Sequence, residues 1–79
     1  MEICLGNKKY EITREKVEVA LSDVAPRRVM KYSICIGHRH YPIKQAISAA
    51  LQISPMEFGT MPAYQILQKL GFEIFIENG

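Results

Sequence analysis

The chain contains no tryptophan and only two cysteines, and it has five glycines and four prolines in 79 residues. So little glycine and proline excludes a collagen-like or low-complexity polymer. Two cysteines, Cys4 and Cys35, exclude the disulfide framework of a small secreted domain, which usually has four or more. No apolar run approaches the roughly 18 residues of a membrane span. The opening Met1-Glu2-Ile3-Cys4-Leu5-Gly6 is too short and too acidic for a signal peptide. A reduced, cytoplasmic setting without a membrane partner is expected. Catalytic signatures are absent as well. There is no G-x-S-x-G, no phosphate-binding glycine loop with its lysine, no H-E-x-x-H, and no carboxylate pair near a histidine. We therefore assign no catalytic residue and no cofactor, and expect a non-enzymatic protein.

The most informative absence is acidic. Residues 24–56 hold five Lys and Arg and no Asp or Glu. The flanking segments are mildly negative, so the net charge of +2 hides a strongly positive middle. An acid-free stretch of this length points to an anionic partner.

What is present is globular: 48% apolar and 23% charged residues. Residues 1–79 make one domain. A chain of this size buries roughly 60–65% of the surface it exposes when unfolded. Its core is thin, which leaves room for a partner chain or ligand to add stability.

Met1–Leu5 and Lys8–Ile12 are expected as paired strands around a Gly6-Asn7 turn. Thr13 then caps a helix over 14–24, whose stripe is Val17, Ala20, Leu21 and Val24 and which Pro26 ends. Val29–Ile36 reads as a strand, with Tyr32, Ile34 and Ile36 on one face. Gly37-His38 turns the chain, and Arg39-His40-Tyr41 returns as a short partner strand. Pro42 opens a helix with a core stripe of Ile43, Ala46, Ile47, Ala50 and Leu51. After a loop or single turn at Ile53–Gly59, Thr60 caps a third helix with Pro62 in its first turn. Its stripe is Ala63, Ile66, Leu67 and Leu70, Gly71 terminates it, and Phe72–Ile76 forms a closing strand. The expected fold is α+β, a small antiparallel sheet of three to five short strands with about three helices packed on one face.

Two clusters carry candidate chemistry. Cys35-x-x-His38-x-His40, with Cys4, contains zinc-ligand residue types. Its spacing is not that of a zinc finger, and the favoured account is a half-buried cysteine beside two surface histidines; no metal is assigned. The basic middle is the stronger signal. Arg27, Arg28 and Lys31 precede the strand; His38, Arg39 and His40 lie in the turn after it; Tyr41 and Lys44 lead into the helix. Guanidinium groups and a helix N-terminus suit phosphate, and Tyr41 suits stacking on a base or sugar. The competing account is a solvated basic face. Met30, Met56 and Met61 are expected to fill an irregular small core rather than a binding surface.

Three runs stand in a recognisable order. They are Ile36-Gly37-His38-Arg39-His40-Tyr41-Pro42-Ile43-Lys44-Gln45-Ala46, then Glu57-Phe58-Gly59-Thr60, then Ile66-Leu67-Gln68-Lys69-Leu70-Gly71-Phe72-Glu73-Ile74. Over about residues 29–76 they resemble the N-terminal head domain of McrA-type HNH restriction endonucleases, which attack modified DNA, and related stand-alone bacterial, plasmid and phage modules. The resemblance implies a role in DNA defence or restriction, or its regulation, and marks Arg39, Tyr41 and Lys44. Tyr41-Pro42 fits a structural corner equally well. The chain has no HNH segment, so only the accessory module carries over.

The sequence thus leads to a nucleic-acid-binding module, with duplex DNA the expected partner. Its contacts would be Arg27, Arg28, Lys31, Arg39 and Lys44 on phosphate, with His38, His40 and Tyr41 at the centre. The alternative is a protein-interaction module, either a homodimer or an inhibitor of a defence-related protein.

Overall fold

Glycine and asparagine between two β-prone runs dictate the first element. In the computed structural model, which describes residues 1–29 and 31–77, strands β1 (Glu2–Leu5) and β2 (Lys8–Glu11) pair antiparallel with Leu5 opposite Lys8. Gly6 takes φ +63° at the first turn position, where an L side chain is disfavoured. Thr13 caps α1 (Arg14–Leu21) by accepting a hydrogen bond from the Lys16 amide at 3.1 Å.

Helix α1 ends three residues before the expected Val24. The Ser22 hydroxyl donates back to the Val19 carbonyl, and the carbonyls of Leu21 and Val24 both accept from the Tyr41 hydroxyl, at 2.9 and 2.6 Å. The helix gives way here to tighter turns, with the Ser22 amide donating to Val19 and the Val24 amide to Leu21, before Pro26 is reached. Strand β3 (Tyr32–Ile36) is also shorter than the expected 29–36, and Met30 lies outside the described residues. It pairs with β4 (Arg39–Pro42) through the Gly37-His38 turn, with Ile34 opposite Tyr41 and Cys35 opposite His40.

Pro42 precedes α2 (Ile43–Leu51) as its cap residue, and among the described residues no side chain caps the helix's first amides. Ile43, Ala46, Ile47 and Ala50 of the expected stripe are buried. A short 3-10 turn (Pro55–Glu57) follows, fixed by the Ser54 amide donating to the Glu57 carboxylate at 2.9 Å. The last helix, α3 (Thr60–Lys69), is capped by Gly59; Thr60 is its first residue and not its cap. At its end the Phe72 amide donates to the Leu67 carbonyl and the Gly71 amide to the Gln68 carbonyl, with Gly71 at φ +91°. This is a Schellman terminator. It holds Phe72 in the core, so the closing strand β5 shrinks to Phe75–Ile76.

The α+β class is the expected one, but the strands divide between two antiparallel sheets, β1-β2 and β4-β3-β5. Both contribute to one core. Leu5 and Ile12 from the first hairpin, Ile34 and Tyr41 from the second, and the stripes of all three helices form a single cluster. Helix α2 sits at its centre, packed on α1, α3, β3 and β4. Met56 and Met61 are not core fillers: they are 91% and 56% exposed.

Candidate nucleic-acid interface

The site is built where the stretch between α1 and β3 crosses the start of α2. Residues 24–29 have no helix or strand of their own. Two side chains from the Tyr41–Gln45 run hold the segment. The Tyr41 hydroxyl binds its beginning, as described. Gln45 then uses both ends of its amide: Oε1 accepts from the Arg27 N–H at 2.8 Å, and Nε2 donates to the Ala25 carbonyl at 3.0 Å. The consequence is that Arg27, Arg28 and Lys44 line one cleft of about 330 Å3, together with Val24, Pro42 and Pro55. Arg27 and Arg28 are exposed, whereas Lys44 is half-buried with Nζ 5.6 Å from the Phe58 ring centroid.

Among the described residues no carboxylate pairs with these groups. Among the described residues the ion pairs are the N-terminal ammonium with Glu11 and Arg14 with Glu18. Neither touches residues 24–56. The unpaired amides at the start of α2 add to the positive field on the same side.

The remaining candidates are spread more widely. Lys31 leads β3 at the end of the sheet where β4 passes into α2, and its Nζ lies 5.3 Å from the Tyr32 ring centroid. Arg39 is opposite Ile36 and lines a separate depression with Leu21 and Ser22. Three residues of strand, about 10 Å, separate its level from that of Pro42. His38 is exposed in the turn beside it. His40 is on the opposite face of β4 from Tyr41, edge-on to Phe75 at 5.2 Å, with Nδ1 3.5 Å from the Ser33 hydroxyl. The structure therefore groups Arg27, Arg28 and Lys44, and does not bring Arg39, His38 or His40 into that group.

Tyr41 is a correction. Its side chain is 1% exposed and its hydroxyl is committed to two carbonyls, so it cannot stack on a base. The structural role at the corner is the one it plays. Cys35 is exposed, not half-buried, and its thiol points to the Gly37 carbonyl at 3.3 Å. Cys4 lies in the other sheet. Among the described residues no three His, Cys, Asp or Glu side chains are grouped so as to hold a metal ion. No described helix is long and apolar enough to cross a membrane.

Gln45 was not among the sequence candidates. A glutamine beside an apolar helical stripe gives no periodic or motif signal, and its partners are 18 and 20 residues away.

Comparison with curated proteins and with solved structures gives no match. A family model does match, over residues 1–78, and so takes in the first hairpin and α1 as well as the basic middle. On that match the chain belongs to the SCO5918-like family.

Proposed function

We propose that this chain is a non-enzymatic nucleic-acid-binding module that holds backbone phosphates of duplex DNA against Arg27, Arg28 and Lys44. The observation that carries it is the convergence of three cations on one cleft with no carboxylate paired to any of them among the described residues. Phosphate oxygens satisfy guanidinium and ammonium groups together, and the open amides of α2 favour the same charge. Lys31, at the same end of the sheet, extends the surface; His38, Arg39 and His40 contribute at most peripheral attraction. The resemblance to the McrA-type head domain supports DNA as the partner and restriction or defence as the setting. Two exposed, unjoined thiols suit the reducing cytoplasm.

The test is fluorescence anisotropy of a labelled duplex at several salt concentrations. The double variant R28Q/K44Q should weaken binding by at least about tenfold and lower the salt slope by about 1.8, since each phosphate contact contributes ~0.9. R39Q should have the smaller effect. Unchanged affinity in R28Q/K44Q would remove the site.

One observation favours the protein-interaction alternative. Strand β5 is a sheet edge, and Phe75 and Ile76 on it are 38% and 58% exposed. An exposed apolar edge is able to pair with another strand. Light scattering decides: a mass that rises with concentration, and falls in I76K, supports a homodimer through that edge.

A further inference from the structure

We infer that Gln45 is the positioning residue of the phosphate site: it binds no ligand itself, but its amide fixes Arg27 and Arg28 beside Lys44. The inference rests on the nucleic-acid role proposed above and names the device that makes it work.

A segment without helix or strand samples many conformations, and two arginines on it would face phosphate only part of the time. Gln45 limits that freedom with two hydrogen bonds to backbone atoms on either side of Pro26, at Ala25 and Arg27. Both are backbone groups, so the arginine side chains stay free for a ligand. Gln45 is in the first turn of α2, directly after Lys44. Clamp and third cation therefore move as one rigid unit. The apolar core does not depend on it: Gln45 is half-buried and is not a core member, whereas Tyr41, which anchors the segment's other end, is. Pre-ordering of this kind raises affinity by lowering the ordering cost at the moment of binding.

The clamp makes a demand that a merely structural glutamine would not. Gln45→Met keeps the length and volume and removes both hydrogen bonds. Binding to the labelled duplex should weaken about tenfold, the ratio carried by ~1.4 kcal/mol. The salt slope should fall by about 1 to 2, because Arg27 and Arg28 disengage. R28Q in the Q45M background should then cost far less than it does alone. The Arg27 amide should exchange faster with solvent deuterium, while amides in α3 keep their protection.

Outcomes separate cleanly. If the wild-type chain fails to bind duplex even at low salt, the nucleic-acid role and this inference fall together. If wild type binds and R28Q/K44Q does not, yet Q45M binds normally, only the clamp is overturned. Weaker binding by Q45M with an unchanged salt slope also overturns it, because that is the mark of a smaller folded fraction. Unchanged exchange at Arg27 does the same.

Discussion

A tyrosine hydroxyl taken out of water must find an acceptor, and Tyr41 finds two carbonyls, those of Leu21 and Val24. These bonds join β4 to the end of α1 across the core. Tyr41→Phe keeps the ring and strips both carbonyls of that donor. Stability should drop by about 1–2 kcal/mol, read as a lower denaturant midpoint at unchanged slope. DNA affinity at low salt should fall less than in Gln45→Met, because Gln45 still holds Ala25 and Arg27 when the Tyr41 anchor at Val24 is lost. Gln52 carries the opposite opportunity. It ends α2 at φ +57°, a left-handed conformation that disfavours a side chain. Gln52→Gly should raise stability by about 0.5–1 kcal/mol in the same titration. Neither residue's situation could be read locally. Tyr41-Pro42 in the sequence suits a stacking ring and a buried corner equally, and only the fold of α1 over β4 chooses. The handedness at Gln52 follows from how the chain must leave α2, which no stripe records.

Elements in this chain are decided more by their ends than by their middles. The stripes of α2 and α3, the two glycine turns and the Gly71 terminator were legible because each is a local rule obeyed locally. What was not legible was length. α1 stops at Leu21, where the backbone tightens into turns and the Tyr41 hydroxyl bonds the last carbonyl, and β5 is short because Phe72 is held by the helix before it. The end of α3 is also tied to the start of α1. Arg14 donates to the Gly71 carbonyl at 2.7 Å, and its guanidinium lies 4.5 Å from the Phe72 ring centroid. Gly71→Ala would place a methyl group 3.3 Å from that guanidinium, at φ +91°. Strain and displacement of Arg14 act together, and a loss of about 1–3 kcal/mol is expected by thermal or chemical denaturation. Alanine elsewhere in α3, at Gln68 for example, should be nearly neutral.

At the scale of the whole molecule, two small sheets, which among the described residues share no hydrogen bonds, still close on one core. The radius of gyration is 11.4 Å, against about 11.6 Å expected for a compact chain of this length. Charge is arranged on that body unevenly. The acid-free middle of the sequence foretold a basic surface, yet not which of its cations would meet. Arg39 and Lys44 stand five residues apart and end up on different depressions, while Arg28 and Lys44, sixteen apart, share one. Convergence is a tertiary property: it depends on a loop crossing a helix start, and residue spacing in sequence carries no record of that crossing.

Residues 24–29, between α1 and β3, are joined to the body by side-chain hydrogen bonds at Tyr41 and Gln45 and contain no helix or strand of their own. They also carry Arg27 and Arg28, so a protease that cuts after basic residues meets its best substrate there. Brief trypsin treatment should nick the chain after Arg27 or Arg28 before any bond within α2 or α3, as mass spectrometry of the fragments would show. Added duplex should slow that nick and leave cuts after Lys8 and Lys9 unaffected. The residues proposed to hold phosphate thus double as a built-in footprint, in which cleavage kinetics report occupancy without a label on either partner.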